Sequence, residues 1–219
     1  MIPPPFNLRR AEARDEPAAY DVCVQTGDSG RGAAHLYPDD PRALGRIFVG
    51  PYLAMEPDLA FVLEDDQGVC GYLLGALDSH RFFESYVKTW LPPVQAAHPE
   101  PKGDPNQWTP TQKVHYEYYH PDLFLPEPYA EYPSHAHIDL LPRAQGRGLG
   151  GGMMRTLLAA LAAKGSAGVH LGLGEDNARA EKFYRKLGFQ ELARNRGVLY
   201  LGLKLKSQDA NIVLPEVGG

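Results

Sequence analysis

The sequence predicts an α/β fold in a single domain, on three observations. Two β-rich runs, 59–63 and 69–77, flank the turn-rich connector Glu64-Asp65-Asp66-Gln67-Gly68, which is hairpin spacing for adjacent antiparallel strands. A second block reads as a strand over 136–141, a glycine-rich turn, a helix over 153–164 and a strand over 169–173. The third is a helix over 178–187 followed by strands over 189–193 and 198–205. At 219 residues the chain suits one domain, 1–206, with 207–219 as a flexible tail.

The remaining elements follow in order. Residues 6–10 read as a short strand; Asp15 then caps a helix that places Ala19, Val22 and Cys23 on one face and stops at Gly27. Four prolines within 30–57 surround a more apolar centre, which reads as loop, helix and loop. The rhythm breaks over 81–133, where ten prolines, Trp90, Trp108 and a Tyr/His-rich patch occur together. So aromatic a segment is not a disordered linker. It reads as an ordered insertion before the fourth core strand, with a helix over 82–91 and a strand over 111–119.

Composition narrows the function classes. Hydrophobic residues at 43% and charged residues at 22% are globular values, and no apolar run approaches the roughly 18 residues a membrane span needs. Three consecutive prolines occupy Met1 to Arg10 where a secretory signal would have its apolar core, so a cytoplasmic protein is expected. Cys23 and Cys70 lie among apolar neighbours without metal-ligand spacing and read as buried free thiols. The net charge of −5 is unevenly spread: residues 143–196 hold ten Lys/Arg against four Asp/Glu, and the rest of the chain carries −11. The basic stretch suits an anionic ligand. The acidic remainder would repel nucleic acid.

The run Gln145-Gly146-Arg147-Gly148-Leu149-Gly150-Gly151-Gly152 sits between an apolar strand and a helix whose Met153, Met154, Leu157, Leu158 and Leu161 recur at helical spacing. Strand, glycine turn and helix make a phosphate site, because main chain can approach an anion closely there and the first amides of the helix point at it. Arg147 adds charge. Gly146, Gly148 and Gly151 also satisfy GxGxxG, which raises a nicotinamide-dinucleotide enzyme. Too few βα units follow the turn to build that fold, so it stands as an outsider.

Gln145 to Gly150 resembles the Q/R-x-x-G-x-G/A signature of the GNAT N-acetyltransferases, and Asn177 to Phe189 resembles their N-x-x-A-x-x-F-Y-x-x-x-G-F segment. The insertion and the run Tyr-Pro-Ser-His-Ala-His-Ile-Asp-Leu-Leu-Pro are similar to bacterial relatives of the acetyltransferase-like domain of O-GlcNAcase. The resemblance implies a mixed, mostly antiparallel central sheet with helices on both faces, and acetyl-CoA as cofactor. It puts the pyrophosphate on Gln145, Gly146, Arg147, Gly148, Leu149 and Gly150, with Gly151. The pantetheine arm falls along Ile138, Asp139 and Leu140, beside Asn177 and Phe183. Tyr184 takes the place of the family's general acid to the departing sulfur.

The implied reaction is direct attack by a primary amine on the acetyl thioester in a ternary complex, which needs a base for the amine. Period-two alternation sets His137 and Asp139 on one strand face, and either can serve; the alternative is that they are a hydrogen-bonded pair of structural value only. His115, His120, His135 and His137 match no zinc spacing, so no metal is expected. The insertion offers Trp90, Trp108, Tyr116, Tyr118, Tyr119, Tyr129 and Tyr132 with Glu117, Asp122, Glu127 and Glu131 interleaved, either a seat for a cationic amine or a hydrophobic lid. The acceptor is an amine on a small molecule or a lysine side chain, no nucleic-acid or membrane partner is expected, and a homodimer stays open. A second class of function, a pseudo-acetyltransferase that binds acetyl-CoA without transfer, competes with the enzyme.

Overall fold

The computed structural model describes residues 2–28 and 30–206; the tail expected at 207–219 lies outside them. Seven strands form one sheet in the order β1-β2-β3-β4-β5-β7-β6. They are β1 (Asn7–Arg10), β2 (Ala60–Asp65), β3 (Gly68–Ala76), β4 (Ser134–Leu140), β5 (Gly168–Gly174), β6 (Gln190–Asn195) and β7 (Val198–Lys204). Every neighbouring pair is antiparallel except β4 and β5. A dinucleotide-binding fold requires a mostly parallel sheet, so the outsider reading of GxGxxG does not fit this topology.

Helix α1 (Glu16–Thr26) and the short helices α2 (Gly45–Phe48) and α3 (Gly50–Met55) precede the hairpin β2–β3. Alternation on β3 sets Tyr72 toward α1, where it meets Cys23, and Gly75 toward the opposite face. There α7 (Leu149–Ala163) lies so close that a Cβ on Gly75 would stand 2.6 Å from Leu157. The sheet is thus covered on both faces, as expected. Both cysteines are free and buried.

Two local expectations need correction. Asp15 is the residue before α1, but its carboxylate accepts from the Glu12 amide (2.8 Å) and from Arg9 (2.6 Å), so it closes a preceding helical turn and ties it to β1. The strand expected over 111–119 is helix α6 (Pro110–Glu117). Thr109 and Gln112 form a reciprocal capping box with Pro110 in the first turn, and Thr111, Val114 and Tyr118 are buried at helical spacing. That start signal, Thr-Pro-Thr-Gln, outweighs the β propensity of the residues after it.

The insertion is a packed layer. It opens with α4 (Ser79–Ser85), passes through a wider helical turn at Tyr86–Trp90 into α5 (Leu91–Ala97), and reaches α6. Trp90 Nε1 to Arg46 O (2.8 Å) and Tyr118 hydroxyl to Ala43 O (2.9 Å) anchor it, and Gln95 Nε2 to Tyr118 O (2.7 Å) ties it internally. After it, α8 (Ala178–Lys186) connects β5 to β6, with the Asn177 side chain accepting from the Ala180 amide (3.1 Å).

Tyr118→Phe keeps the buried ring and orphans the Ala43 carbonyl. The expected loss, about 1–3 kcal/mol of unfolding free energy, is measurable by denaturant titration.

Candidate functional site

Strand β4 pairs with β3 along its whole length, from His135 opposite Ala76 to Leu140 opposite Gly71. On its other edge it meets β5 only at Ser134–Val169 and His135–His170. Beyond that vertex the two strands diverge, so the β5-facing edge of Ala136 to Leu140 has no sheet partner. A cavity of about 560 Å3 fills the divergence and reaches the start of α7.

Helix α7 begins at Leu149, four residues earlier than expected, with three glycines in its first turn. Glycine is costly in a helix, about 1 kcal/mol each relative to alanine, so close approach is the reason for it. A Cβ on Gly150 would stand 3.1 Å from the Phe183 ring of α8. Gly148, at φ 76°, turns the chain into the helix through the left-handed region. No carbonyl accepts from the Gly146, Arg147, Gly148 or Leu149 amides among the loop hydrogen bonds of the described residues. They lie at the positive end of a 15-residue helix.

Most of the expected site residues converge here. Ile138, Asp139, Leu140, Gln145, Gly146, Gly148, Leu149, Gly150, Gly151, Asn177, Phe183, Tyr184 and His137 all line the cavity. The Arg147 side chain does not: its Nε donates to Arg143 O (2.9 Å) and its guanidinium lies over the Phe6 ring. Gln145 Nε2 donates to Leu140 O (2.6 Å), joining the turn to the open end of β4.

His137 and Asp139 share one face, and Tyr72 links them. Its hydroxyl donates to Asp139 Oδ2 (2.6 Å) and lies 2.8 Å from His137 Nε2, whereas the direct His137–Asp139 approach is 3.4 Å. With the Tyr72 proton on Asp139, the tautomer that completes the chain carries its proton on Nε2 and leaves Nδ1 as an acceptor. Burial lowers the His137 pKa against the pull of Asp139, and burial raises that of Asp139. Tyr184 is buried and its phenol is held well above the usual range, by burial first and then by the Asp139 charge. Its hydroxyl has no hydrogen-bond partner among the described residues.

Sequence reading missed three contributors. Tyr72 looks like any apolar position of an alternating strand, and only the β3–β4 register sets it opposite Asp139. Phe48, 39% exposed, lies with its ring 5.7 Å from that of His137. Arg179 lines the cavity and has no ion pair among the described residues, a cation that its place two residues after Asn177 could have flagged. The histidines weighed as metal ligands do not converge: His120 pairs with Glu100, and the buried His135 with Ser79 and Tyr52. His115 joins His98 and Asp40 with ligand atoms within 4.8 Å, but Arg46 contacts the same Asp40 oxygen at 2.6 Å, a charge that opposes a metal ion. No helix of the described residues is long and apolar enough to cross a membrane.

A half-split sheet beside a glycine-started helix is the architecture of an acetyltransferase class, and residues 123–191 match the family described as Acetyltransferase (GNAT) domain. The crystal structure of SsHAT superposes with a TM-score of 0.85 at 40% identity, over 93% of this chain and 100% of that one. The chain belongs to the GNAT acetyltransferases. It is 31% identical to the protein O-GlcNAcase of Rattus norvegicus over 205 residues, which is 91% of this chain but 22% of that protein. It therefore spans about a fifth of the length of the curated relatives it matches. A phosphinothricin acetyltransferase of Sinorhizobium meliloti, solved in complex with AcCoA, shares the fold at 15% identity with a TM-score of 0.54, over 97% of this chain and 94% of that one.

Burial also sets a pH dependence. His135, His137 and His170 have pKa values lowered by burial, so below about 6.5 the unfolded chain binds more protons than the folded one and their contribution to stability is lost as pH falls. The denaturant midpoint should be lower at pH 5 than at pH 7, and the His135 and His137 imidazole resonances should titrate below the free-histidine value.

Proposed function

We propose that this chain is an acetyl-CoA-dependent N-acetyltransferase that acetylates a primary amine by direct attack in a ternary complex. The observation that carries the reading is the divergence of β4 from β5 over the start of α7, which leaves a strand edge and a set of helix amides unpaired in one cavity.

These residues fit the coenzyme. An extended amide-bearing arm can pair with the free edge of Ile138, Asp139 and Leu140. The amides at Gly146, Arg147, Gly148, Leu149, Gly150 and Gly151 fit a pyrophosphate, with Gln145 bracing the turn and Arg179 adding positive charge. Asn177 and Phe183 flank the arm from α8. Bound there, acetyl-CoA supplies the acetyl thioester. His137 Nδ1 takes the proton of the attacking amine, and the Asp139–Tyr72 chain holds the ring in the required tautomer and offsets its charge. In this reading Asp139 and Tyr72 are positioning residues. Tyr184, a phenol protonated at neutral pH, gives its proton to the departing sulfur.

Calorimetric titration with acetyl-CoA, coenzyme A and NAD tests the binding half. Micromolar binding of the first two and none of NAD is expected, and absence of coenzyme A binding would overturn the proposal. Gly151→Asp should abolish binding while the fold persists. The position is helical, a Cβ there would meet only ordinary contacts with Arg155 (3.6 Å) and Leu187 (4.0 Å), and a carboxylate in a first turn suits the helix while repelling a phosphate. Tyr184→Phe should leave acetyl-CoA affinity within about threefold and lower turnover by about 10²-fold, the usual range for loss of a general acid. Coenzyme binding without thiol release for any amine would make the chain a non-catalytic binding module.

A further inference from the structure

A second cavity, of about 350 Å3, continues from the first, and the two share Phe48, His137 and Gly172. Both strands of the split pass from one into the other. On β4, Ile138 to Leu140 line the first cavity, His135 and Ala136 the second, and His137 stands in both; on β5, Leu173 and Gly174 line the first, His170 and Leu171 the second, and Gly172 both. The second cavity therefore lies at the vertex end of the split, away from the glycine turn.

Its walls have a defined chemistry. Phe83, Tyr86, Phe124 and Tyr200 contribute aromatic surface, and the insertion contributes Glu117 and Asp122. No Lys or Arg lines it. Glu117 accepts no hydrogen bond and forms no ion pair among the described residues, and Asp122 accepts only from the Phe124 amide (3.1 Å). Both carboxylates are exposed side chains that line the cavity, and partial desolvation, with the Asp122 charge beside it, raises the Glu117 pKa. Of the other titratable side chains of the wall besides His137 and the tyrosines, His135 is bonded on both ring nitrogens, to Ser79 (2.7 Å) and Tyr52 (2.8 Å), and His170 through Nδ1 to the Tyr132 carbonyl (2.8 Å). An unpartnered carboxylate among aromatic rings is complemented by a cation.

We infer that the second cavity seats the acceptor and selects a small diamine, with the reacting amine at His137 and a distal ammonium against Glu117 and Asp122 across an apolar stem. The assignment of the reacting end rests on the acetyltransferase reading; the cation seat rests on the cavity alone. The far carboxylates set both orientation and preference, since an acceptor with an uncharged or anionic far end leaves Glu117 without a partner.

The experiment measures calorimetric binding of 1,5-diaminopentane, n-pentylamine and 5-aminopentanoate to the full chain loaded with coenzyme A, and again without it. The diamine should bind about tenfold tighter than pentylamine, as expected for one partly enclosed charge pair, and 5-aminopentanoate weakest. Glu117→Gln and Asp122→Asn, each checked for an unchanged melting temperature, should reduce the diamine's advantage to about twofold or less. Equal affinities in the parent chain, or a preference that survives in both variants, would overturn the inference. Failure of coenzyme A itself to bind would overturn the acetyltransferase proposal instead, and weaker diamine binding to unloaded Glu117→Gln than to the unloaded parent chain would still decide the cation seat.

Discussion

The divergence of β4 from β5 is the constraint on which the rest depends. Each strand is fully paired on its outer edge, β4 with β3 and β5 with β7, so the two halves of the sheet are internally complete and meet through two residue pairs only. Main-chain groups left open inside a protein cost about 1–3 kcal/mol each unless water or a ligand serves them. The fold accepts that cost along β4 and limits it at one point, where Gln145 covers the Leu140 carbonyl. The vertex is held by groups that cannot slide: His135 is buried and bonded on both ring nitrogens, and Ser134 bonds Leu77 O and Ser166.

From that split the site residues follow. Parity on β4 sends His137 and Asp139 to the face of α1 and Tyr72, and the parallel direction of β5 brings its own end and α8 to the same cavity. Gly150 admits Phe183 close to α7, so the α8 stripe that carries Tyr184 reaches the channel. A larger residue at position 150 would push α8 outward and take Tyr184 with it. The glycines of the turn thus serve two needs, access to the helix amides and the approach of a second helix.

Much of this was legible in the sequence, because strands, glycine turn and amphipathic helices are local patterns. All seven strands and the cavity-lining run from 145 to 151 fall where periodicity and glycine placement put them, apart from the Arg147 side chain. What was not legible depends on register or on a competing local signal. Tyr72 lies 67 positions before Asp139, and an aromatic at an apolar position of a strand carries no mark of its partner. Helix α6 was hidden by β-prone residues behind a capping box. In the insertion, the mixture of aromatics and carboxylates was visible, but not which of them face one cavity: Tyr118 and Tyr119 are spent on backbone carbonyls and Glu131 on Lys204, leaving Glu117 and Asp122.

The uneven charge of the chain then has a spatial meaning. The stretch carrying +6 contains the glycine turn, α7 and Arg179, at one end of the channel, while the acidic remainder supplies Glu117 and Asp122 at the other. Between them stand an imidazole lowered and a phenol raised by burial, both neutral at pH 7, with the Asp139 carboxylate beside them accepting from Tyr72. An anion at one end and a cation at the other would each meet opposite charge. A channel polarised in this way would orient an anionic and a cationic ligand head to head.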